Sequence, residues 1–460
     1  MDVVTDPDVL AGYLSDASRI PGRAEALVRP CSALEVAEVV RRCQERGTPL
    51  TVSAGRTSTV GGPVPDGGWI LSTEHLDGVL AVSDERAVAQ AGVRLGALQD
   101  RVEAQGRLHP PDPTSRDECT LGATLACNAS GPRTYRFGPS RDWVESVEAV
   151  LPTGEIVEAD RTTPIPAGWE VPRWSVPTTK HAAGYVPTDN LLDLLVGSEG
   201  TLGVITRATV RLTTRPSGIL GLLVPFPALE PCLAFADAVR GARCPPGVCP
   251  WCIEFFDARA LDLARVSCPA LPRAGAALWF EQPYEGDPPF DPWMAAISGA
   301  GLPESDVVVA TEEGSLRALH AARHAVPAGV NEEAARNHMP KVALDLAVPA
   351  PVFPRMVEAY RAIDLPAVWF GHLGDLHVHV NLLPQSEPAL ERARTTALAL
   401  ARLAVDLGGS VAGEHGIGRT KRHLLAIQVG AATLAGFRRL KAAADPRWIL
   451  NRAVLLDPPP

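Results

Sequence analysis

The chain has little that would draw it to nucleic acid or to a membrane. Lys and Arg total 43 against 53 Asp and Glu, the formal net charge is −10, and aromatic residues make up only 5% of the 460 positions. An acidic surface of this kind repels phosphate backbones and anionic lipid headgroups. Long apolar runs are also missing. The richest, Gly218 to Leu229, is short and broken by proline, far from the ~20 residues a membrane span needs. The opening Met-Asp-Val-Val-Thr-Asp-Pro-Asp is acidic and lacks the basic flank of a secretory signal, so a cytoplasmic location is expected.

Cysteine chemistry is equally sparse. The nine cysteines are scattered and odd in number, so reduced thiols are expected, and no set of them has iron–sulfur spacing. The one close pair, Cys249-Pro-Trp-Cys252, has no second pair to match it. It runs into Cys252-Ile-Glu-Phe-Phe-Asp257, which reads as a buried strand, so core packing is preferred to a redox or zinc role. No Gly-x-Gly-x-x-Gly follows a strand, which disfavours a Rossmann unit. Gly413-Glu-His-Gly-Ile-Gly-Arg-Thr420 only approaches a P-loop, with arginine where lysine belongs. No repeat period or low-complexity tract is present.

The length suggests about three domains' worth of chain, or two larger ones. Residues 1–214 alternate short β-like runs with glycine turns; examples are Thr51-Val-Ser-Ala, Val147-Glu-Ala-Val-Leu and Leu202-Gly-Val-Ile-Thr. Ala33 to Arg46 shows helical spacing of Val36, Val39 and Val40, and Asp160 to Pro177 reads as a surface loop. Residues 215–412 carry longer helices, expected over Pro231 to Ala242, Leu316 to Ala335 and Ser386 to Gly408. Residues 413–460 form a helix-rich closing segment.

Four of the eleven histidines fall in two blocks, Gly371-His-Leu-Gly-Asp-Leu-His-Val-His-Val-Asn381 and Gly413-Glu-His-Gly-Ile-Gly418. In the first, Leu376, Val378, Val380 and Leu382 share one parity, and His377, His379 and Asn381 the other. A β-strand would send the polar set to one face. A lone histidine on a strand is more often a hydrogen-bonded surface or core residue than a ligand. Clustered imidazoles beside a carboxylate in a glycine-rich turn are instead suited to a divalent metal, with a spare histidine as proton acceptor.

Two small-residue clusters in the first half suit an anionic cofactor. Ser53-Ala-Gly-Arg-Thr-Ser58, followed by Gly61-Gly62, offers backbone N–H groups of the sort that cradle pyrophosphate. Thr120-Leu-Gly-Ala-Thr-Leu-Ala-Cys-Asn-Ala-Ser-Gly131 offers backbone that a ligand can approach closely. Each alone is equally compatible with a tight turn.

In their order along residues 20 to 456, these motifs resemble the FAD-linked oxidases of the vanillyl-alcohol-oxidase superfamily, in the branch of D-lactate dehydrogenase, D-2-hydroxyglutarate dehydrogenase and the glycolate oxidase catalytic subunit. The resemblance also includes Arg29-Pro-Cys-Ser-Ala-Leu-Glu-Val36, Pro110-Pro-Asp-Pro113, Lys180-His-Ala-Ala-Gly-Tyr185 and Gly197-Ser-Glu-Gly-Thr-Leu-Gly-Val-Ile-Thr206. It implies an α+β fold: a two-subdomain PCMH-type FAD-binding domain over 1–214, a cap domain with a helix-covered antiparallel sheet over 215–412, and a segment 413–460 that completes the active site. It further implies that Ser53, Ala54, Gly55, Arg56, Thr57, Ser58 and Gly61 hold the FAD pyrophosphate. Thr120, Leu121, Gly122, Thr124, Asn128, Ser130 and Gly131 would run along the flavin, with Pro111 and Gly138 beside them. Glu199, Gly200, Gly203, Val204 and Ile205 would complete the wall together with Asn451.

By the same resemblance His372, His379 and Glu414 are metal ligands (zinc, with manganese or iron as alternatives), His415 is the general base, Asn381 faces substrate, and Arg323 and Lys341 bind its carboxylate. The first glycine loop has no histidine where covalently flavinylated relatives carry one, so noncovalent FAD is implied. The family's Gly-Asn after the aspartate is here Leu376-His377, and its Asn-Pro-Gly-Lys is Asn451-Arg-Ala-Val454. The expected reaction is oxidation of a D-2-hydroxy acid. Electrons would pass to a quinone, an electron-transfer flavoprotein, a cytochrome, oxygen or a partner subunit, and such a partner would give peripheral membrane contact. The rivals are a catalytically silent flavin-binding subunit, an FAD oxidase of another alcohol, and a flavin-free metallohydrolase.

Overall fold

A computed structural model describes residues 2–241 and 244–459. The fold is α+β, built on three main sheets. The first contains β1 (Val3–Val4), β2 (Ala26–Val28), β3 (Leu50–Ser53) and β4 (Trp69–Ser72), in the order β1-β2-β4-β3 with β4 parallel to both neighbours. The second is antiparallel, with β5 (Val79–Val82), β6 (Arg86–Gln90), β8 (Val144–Val150), β9 (Ile156–Asp160) and β10 (Val204–Arg211) in the order β5-β6-β10-β8-β9. A small ribbon pairs β7 (Arg107–Leu108) with β11 (Thr213–Thr214).

The third sheet has seven antiparallel strands: β12 (Gly218–Phe226), β13 (Cys252–Asp257), β14 (Ala276–Tyr284), β15 (Val308–Ala310), β16 (Val342–Leu344), β17 (Ala367–His372) and β18 (His377–Leu382), ordered β15-β12-β14-β13-β17-β18-β16. Helices 258–267 and 313–336 pack on one of its faces through Leu261, Ala264, Leu319 and Val326 against Phe256 and Trp279.

Local chemistry explains the element ends. The helix Ala33–Arg46 starts at Ser32, whose hydroxyl accepts from the Glu35 amide, while the Glu35 carboxylate reaches back to the Cys31 amide at 2.8 Å. It stops at Gly47, at φ 65°, the left-handed cap that glycine adopts without penalty. Its buried stripe is Val36, Ala37, Val39, Val40 and Cys43. The three expected helices of the second half occupy Leu229–Ala238, Glu313–Arg336 and Glu387–Asp406; the expected end of the first, Ala242, lies outside the described residues. No helix or strand occupies 161–190. Cys252 is buried at the start of β13, whereas Cys249 is exposed, so core packing holds for only one of the pair.

The C-terminal segment returns to the first sheet. Leu50 donates to the Ile449 carbonyl at 2.8 Å and accepts from the Asn451 amide at 3.0 Å. The buried Lys441 ammonium ties this return together, donating to the Thr201 and Leu450 carbonyls and to Asp445. Among the described residues no helix is long and apolar enough to cross a membrane.

Candidate active site and metal centre

Strand pairing assembles the histidine cluster. Glu254 on β13 stands opposite His372 on β17, and His372 opposite His377 on β18. A carboxylate and two imidazoles therefore share one row across the sheet, with His379 and Asn381 further along the same face. Cross-strand partners on one face approach within contact distance. The Glu254 carboxylate is within 2.6 Å of both His372 Nδ1 and Arg323 Nε. The turn at 413–418 then delivers Glu414, which lies 3.2 Å from His372 Nε2 and 3.0 Å from His379 Nε2.

Glycines make the approach possible. A Cβ on Gly413 would sit 2.6 Å from His377 Nε2, and one on Gly371 would meet the His379 ring at 2.7 Å. Leu376, where the family has glycine, keeps the left-handed turn at φ 56°, at a cost of roughly 1–2 kcal/mol for a residue with a Cβ.

Buried Asp345 anchors this turn. Its carboxylate accepts from His377 Nε2 at 2.8 Å, from the Glu414 and His415 amides, and from Lys421 at 2.7 Å. His415 Nδ1 lies 3.4 Å from the same carboxylate, its ring stacks on His379 at 5.1 Å, and its side chain is 32% exposed toward the cavity. Lys180, almost fully buried, pairs with Glu414 at 2.8 Å.

The charges set the protonation states. Burial alone would raise Glu414 and Asp345. Their neighbours win, His372 and Lys180 at Glu414 and His415 and Lys421 at Asp345, and hold both carboxyls well below the usual range. Burial lowers His377 and drives His379 down to about 3, which keeps both rings neutral. Burial would also lower His372, but Glu254 and Glu414 outweigh it and hold its pKa up. A histidine gripped by two carboxylates carries the proton, and ligation of a cation would require its release. Neutral imidazoles and an ionised carboxylate are the donor set a borderline divalent ion takes. His372, His377, His379 and Glu414 offer ligand atoms that all lie within 4.8 Å of one another.

The cluster closes one end of a cavity of about 1410 Å³, lined by His379, Asn381, Glu414, His415 and Arg323. This exceeds the ~300–1,000 Å³ usual for a small-molecule site. At the other end Ala54, Gly55, Arg56, Thr57 and Ser58 form the wall. Among the described residues, the backbone N–H groups of residues 55 to 59 donate to no protein acceptor. A run of free N–H groups facing a cavity is an anion cradle. Gly55 is required there, because a Cβ would lie 2.2 Å from the Glu118 carbonyl oxygen. Gly122, Thr124, Ser130, Gly200, Gly203, Val204 and Ile205 line the stretch between.

Glu199 and Asn451 reach the cavity but also brace it. The Glu199 carboxylate accepts from the Ile417 and Gly418 amides, each at 2.8 Å. The Asn451 amide donates to the Glu199 carbonyl and accepts from the Val52 N–H.

Eight expected cofactor residues do not line the cavity: Ser53, Gly61, Pro111, Thr120, Leu121, Asn128, Gly131 and Gly138. Several have local structural roles. Thr120 caps the helix 121–126, Leu121 is core, and Gly138 closes the helix 134–137 at φ 78°. Asn128 holds the Arg141 amide, the Pro111 carbonyl accepts from Gln99, and Gly131 is pressed against the Asp112 backbone.

Arg323 lines the cavity, with Nε held by Glu254 and one terminal nitrogen by Thr114 at 2.6 Å, so only its terminal N–H groups face a ligand. Pro327, inside the same helix, cannot donate to the Arg323 carbonyl four residues back. Lys341 lines the cavity without an ion-pair partner among the described residues, and burial with Arg19 nearby lowers its pKa. Ala343, two residues on, is the one opposite Asn381. Sequence reasoning missed Glu254, Asp345, Lys180 and Lys421. Glu254 interrupts an apolar strand and Asp345 an apolar run just past one, and a buried charge needs partners.

Residues 24–160 match the FAD binding domain family, and residues 216–455 match the FAD linked oxidases, C-terminal domain. The chain is 31% identical to D-lactate dehydrogenase of Archaeoglobus fulgidus, over 92% of this chain and 90% of that protein. It is 29% identical to glycolate oxidase subunit GlcD of Bacillus subtilis (93% and 88%) and 28% identical to D-2-hydroxyglutarate dehydrogenase of Xanthomonas citri pv. viticola (98% and 94%). Alkyldihydroxyacetonephosphate synthase shares the fold, with a TM-score of 0.68 at 17% identity over 98% of this chain and 81% of that one.

Proposed function

Because the chain belongs to the FAD-linked oxidases, enzymes with oxidase and dehydrogenase activity on CH–OH groups, we propose that it oxidises a D-2-hydroxy acid of the lactate, glycolate or 2-hydroxyglutarate class to the 2-oxo acid. A divalent metal assists, and electrons pass to an acceptor other than NAD. The observation that carries this reading is the single cavity running from the N–H cradle at 55–59 to His379, Glu414 and His415. When bound, FAD supplies the hydride acceptor and a divalent ion the Lewis acidity that lowers the hydroxyl pKa.

His372, His379 and Glu414 would hold the ion. Asp345 at Nδ1 orients His415, which leaves Nε2 to take the hydroxyl proton. The terminal N–H groups of Arg323 bind the substrate carboxylate, and Glu254 fixes both that guanidinium and His372. Lys341 faces the same cavity as a second cation. No residue from 53 to 62 is His, Cys or Tyr, which supports FAD bound without a covalent link to this loop, and heat precipitation should release the yellow chromophore. Colour retained in the pellet would contradict this. A screen of D-2-hydroxy acids with a dye acceptor tests the reaction; turnover with none of them, or only with L-enantiomers, would overturn it.

A further inference from the structure

We propose that His377 is a fourth metal ligand through Nδ1, joining His372, His379 and Glu414; the inference rests on the metal reading above. His377 is fully buried, and its Nε2 lies 2.8 Å from the Asp345 carboxylate. An ionised carboxylate only accepts, so Nε2 carries the hydrogen, and a neutral ring then has its lone pair on Nδ1. That atom has no hydrogen-bond partner among the described residues and is shut off from solvent. It faces the cluster, 3.9 Å from Glu414, with the ring centroid 4.6 Å from that of His379.

A buried acceptor left unpaired is costly, and a cation among these side chains is the partner it lacks. A carboxylate behind the far nitrogen of a ligating imidazole is the usual support for metal binding. His372 has the same support from Glu254, so the two rings are built alike. Their positions are also built: the ring of His377 fills the space that any side chain on Gly413 would need. Three imidazoles and one carboxylate favour zinc and its transition-metal neighbours over magnesium or calcium.

Two substitutions split the ring's functions. His377→Gln places an amide near Nε2 and keeps a donor to Asp345, but removes the Nδ1 lone pair. His377→Asn places an oxygen near Nδ1 and gives up the Asp345 bond. Zinc affinity, measured by chelator competition on the FAD-loaded protein, should fall more than about 100-fold in the Gln variant, beyond the roughly 10–100-fold that outer partners cost, and less in the Asn variant. The visible spectrum of the cobalt-substituted protein should change in Gln. A Gln variant within about 100-fold of wild type with an unchanged cobalt spectrum overturns the proposal, as does the reverse order of the two variants. A wild type that binds no metal overturns instead the reading on which it rests. Retained FAD absorbance in both variants shows that they fold.

Discussion

The histidine end of the cavity is made of side chains and the glycine end of backbone. Around Glu414 and Asp345 the polar side chains are matched in pairs at 2.6–3.4 Å, and these neighbours displace carboxyl pKa values far downward. Along 55–59 the donors are main-chain N–H groups with no acceptor among the described residues, and what matters is the room left by an absent Cβ. The first end holds its geometry through electrostatics and tolerates no loss of a partner. The second tolerates many side chains but no intrusion. Glu199 is the seam between them, lining the cavity and with its carboxylate on the turn that carries Glu414 and His415.

Substitutions should break the two ends separately. The largest effect is expected for Glu414→Ala, which should lose bound metal and turnover together while FAD stays; elemental analysis beside the flavin spectrum reads both. His415→Asn should keep metal and FAD yet lose about 100- to 10,000-fold in kcat under substrate saturation, and a loss below tenfold would remove it as the base.

At the seam, burial pushes Glu199 from 4.5 up to about 7 against the pull of the two amides. A raised folded pKa means that its contribution to stability is complete below about 4.5 and fades as the pH rises through about 7. Denaturant unfolding of Glu199→Gln should therefore show a flatter pH profile than wild type, by up to about 3 kcal/mol across that window; parallel profiles would contradict the assignment. The smallest effect belongs to Gly55→Ala, whose new Cβ would meet the Glu118 carbonyl. FAD affinity should weaken on the order of tenfold, or ~1.4 kcal/mol, with metal content unchanged.

The same contrast governs what could be read in advance. The parity of His377, His379 and Asn381 gave a strand that the structure places at His377–Leu382, because alternation in a sheet maps directly onto faces. The helix 33–46 was legible to the residue through the spacing of Val36, Val39 and Val40. Glu254 and Asp345 were not legible as organisers of the site, since their partners lie up to 118 residues away and only strand order brings them together. The glycine clusters were found, but small residues mark tight packing as readily as ligand contact. Thr120, Asn128, Gly131 and Gly138 accordingly hold local caps and turns and are absent from the cavity lining.

Rapid anaerobic mixing of the FAD-loaded protein with D-lactate, glycolate and D-2-hydroxyglutarate, with the metal in place and after chelation, tests most directly whether the two ends act as one site. Loss of the oxidised-flavin absorbance should be fast with at least one of these acids in the metal-loaded protein and slower by about 100-fold or more after chelation, recovering when metal is restored. Bleaching at equal rates with and without metal, or none with any of the three, would contradict the account.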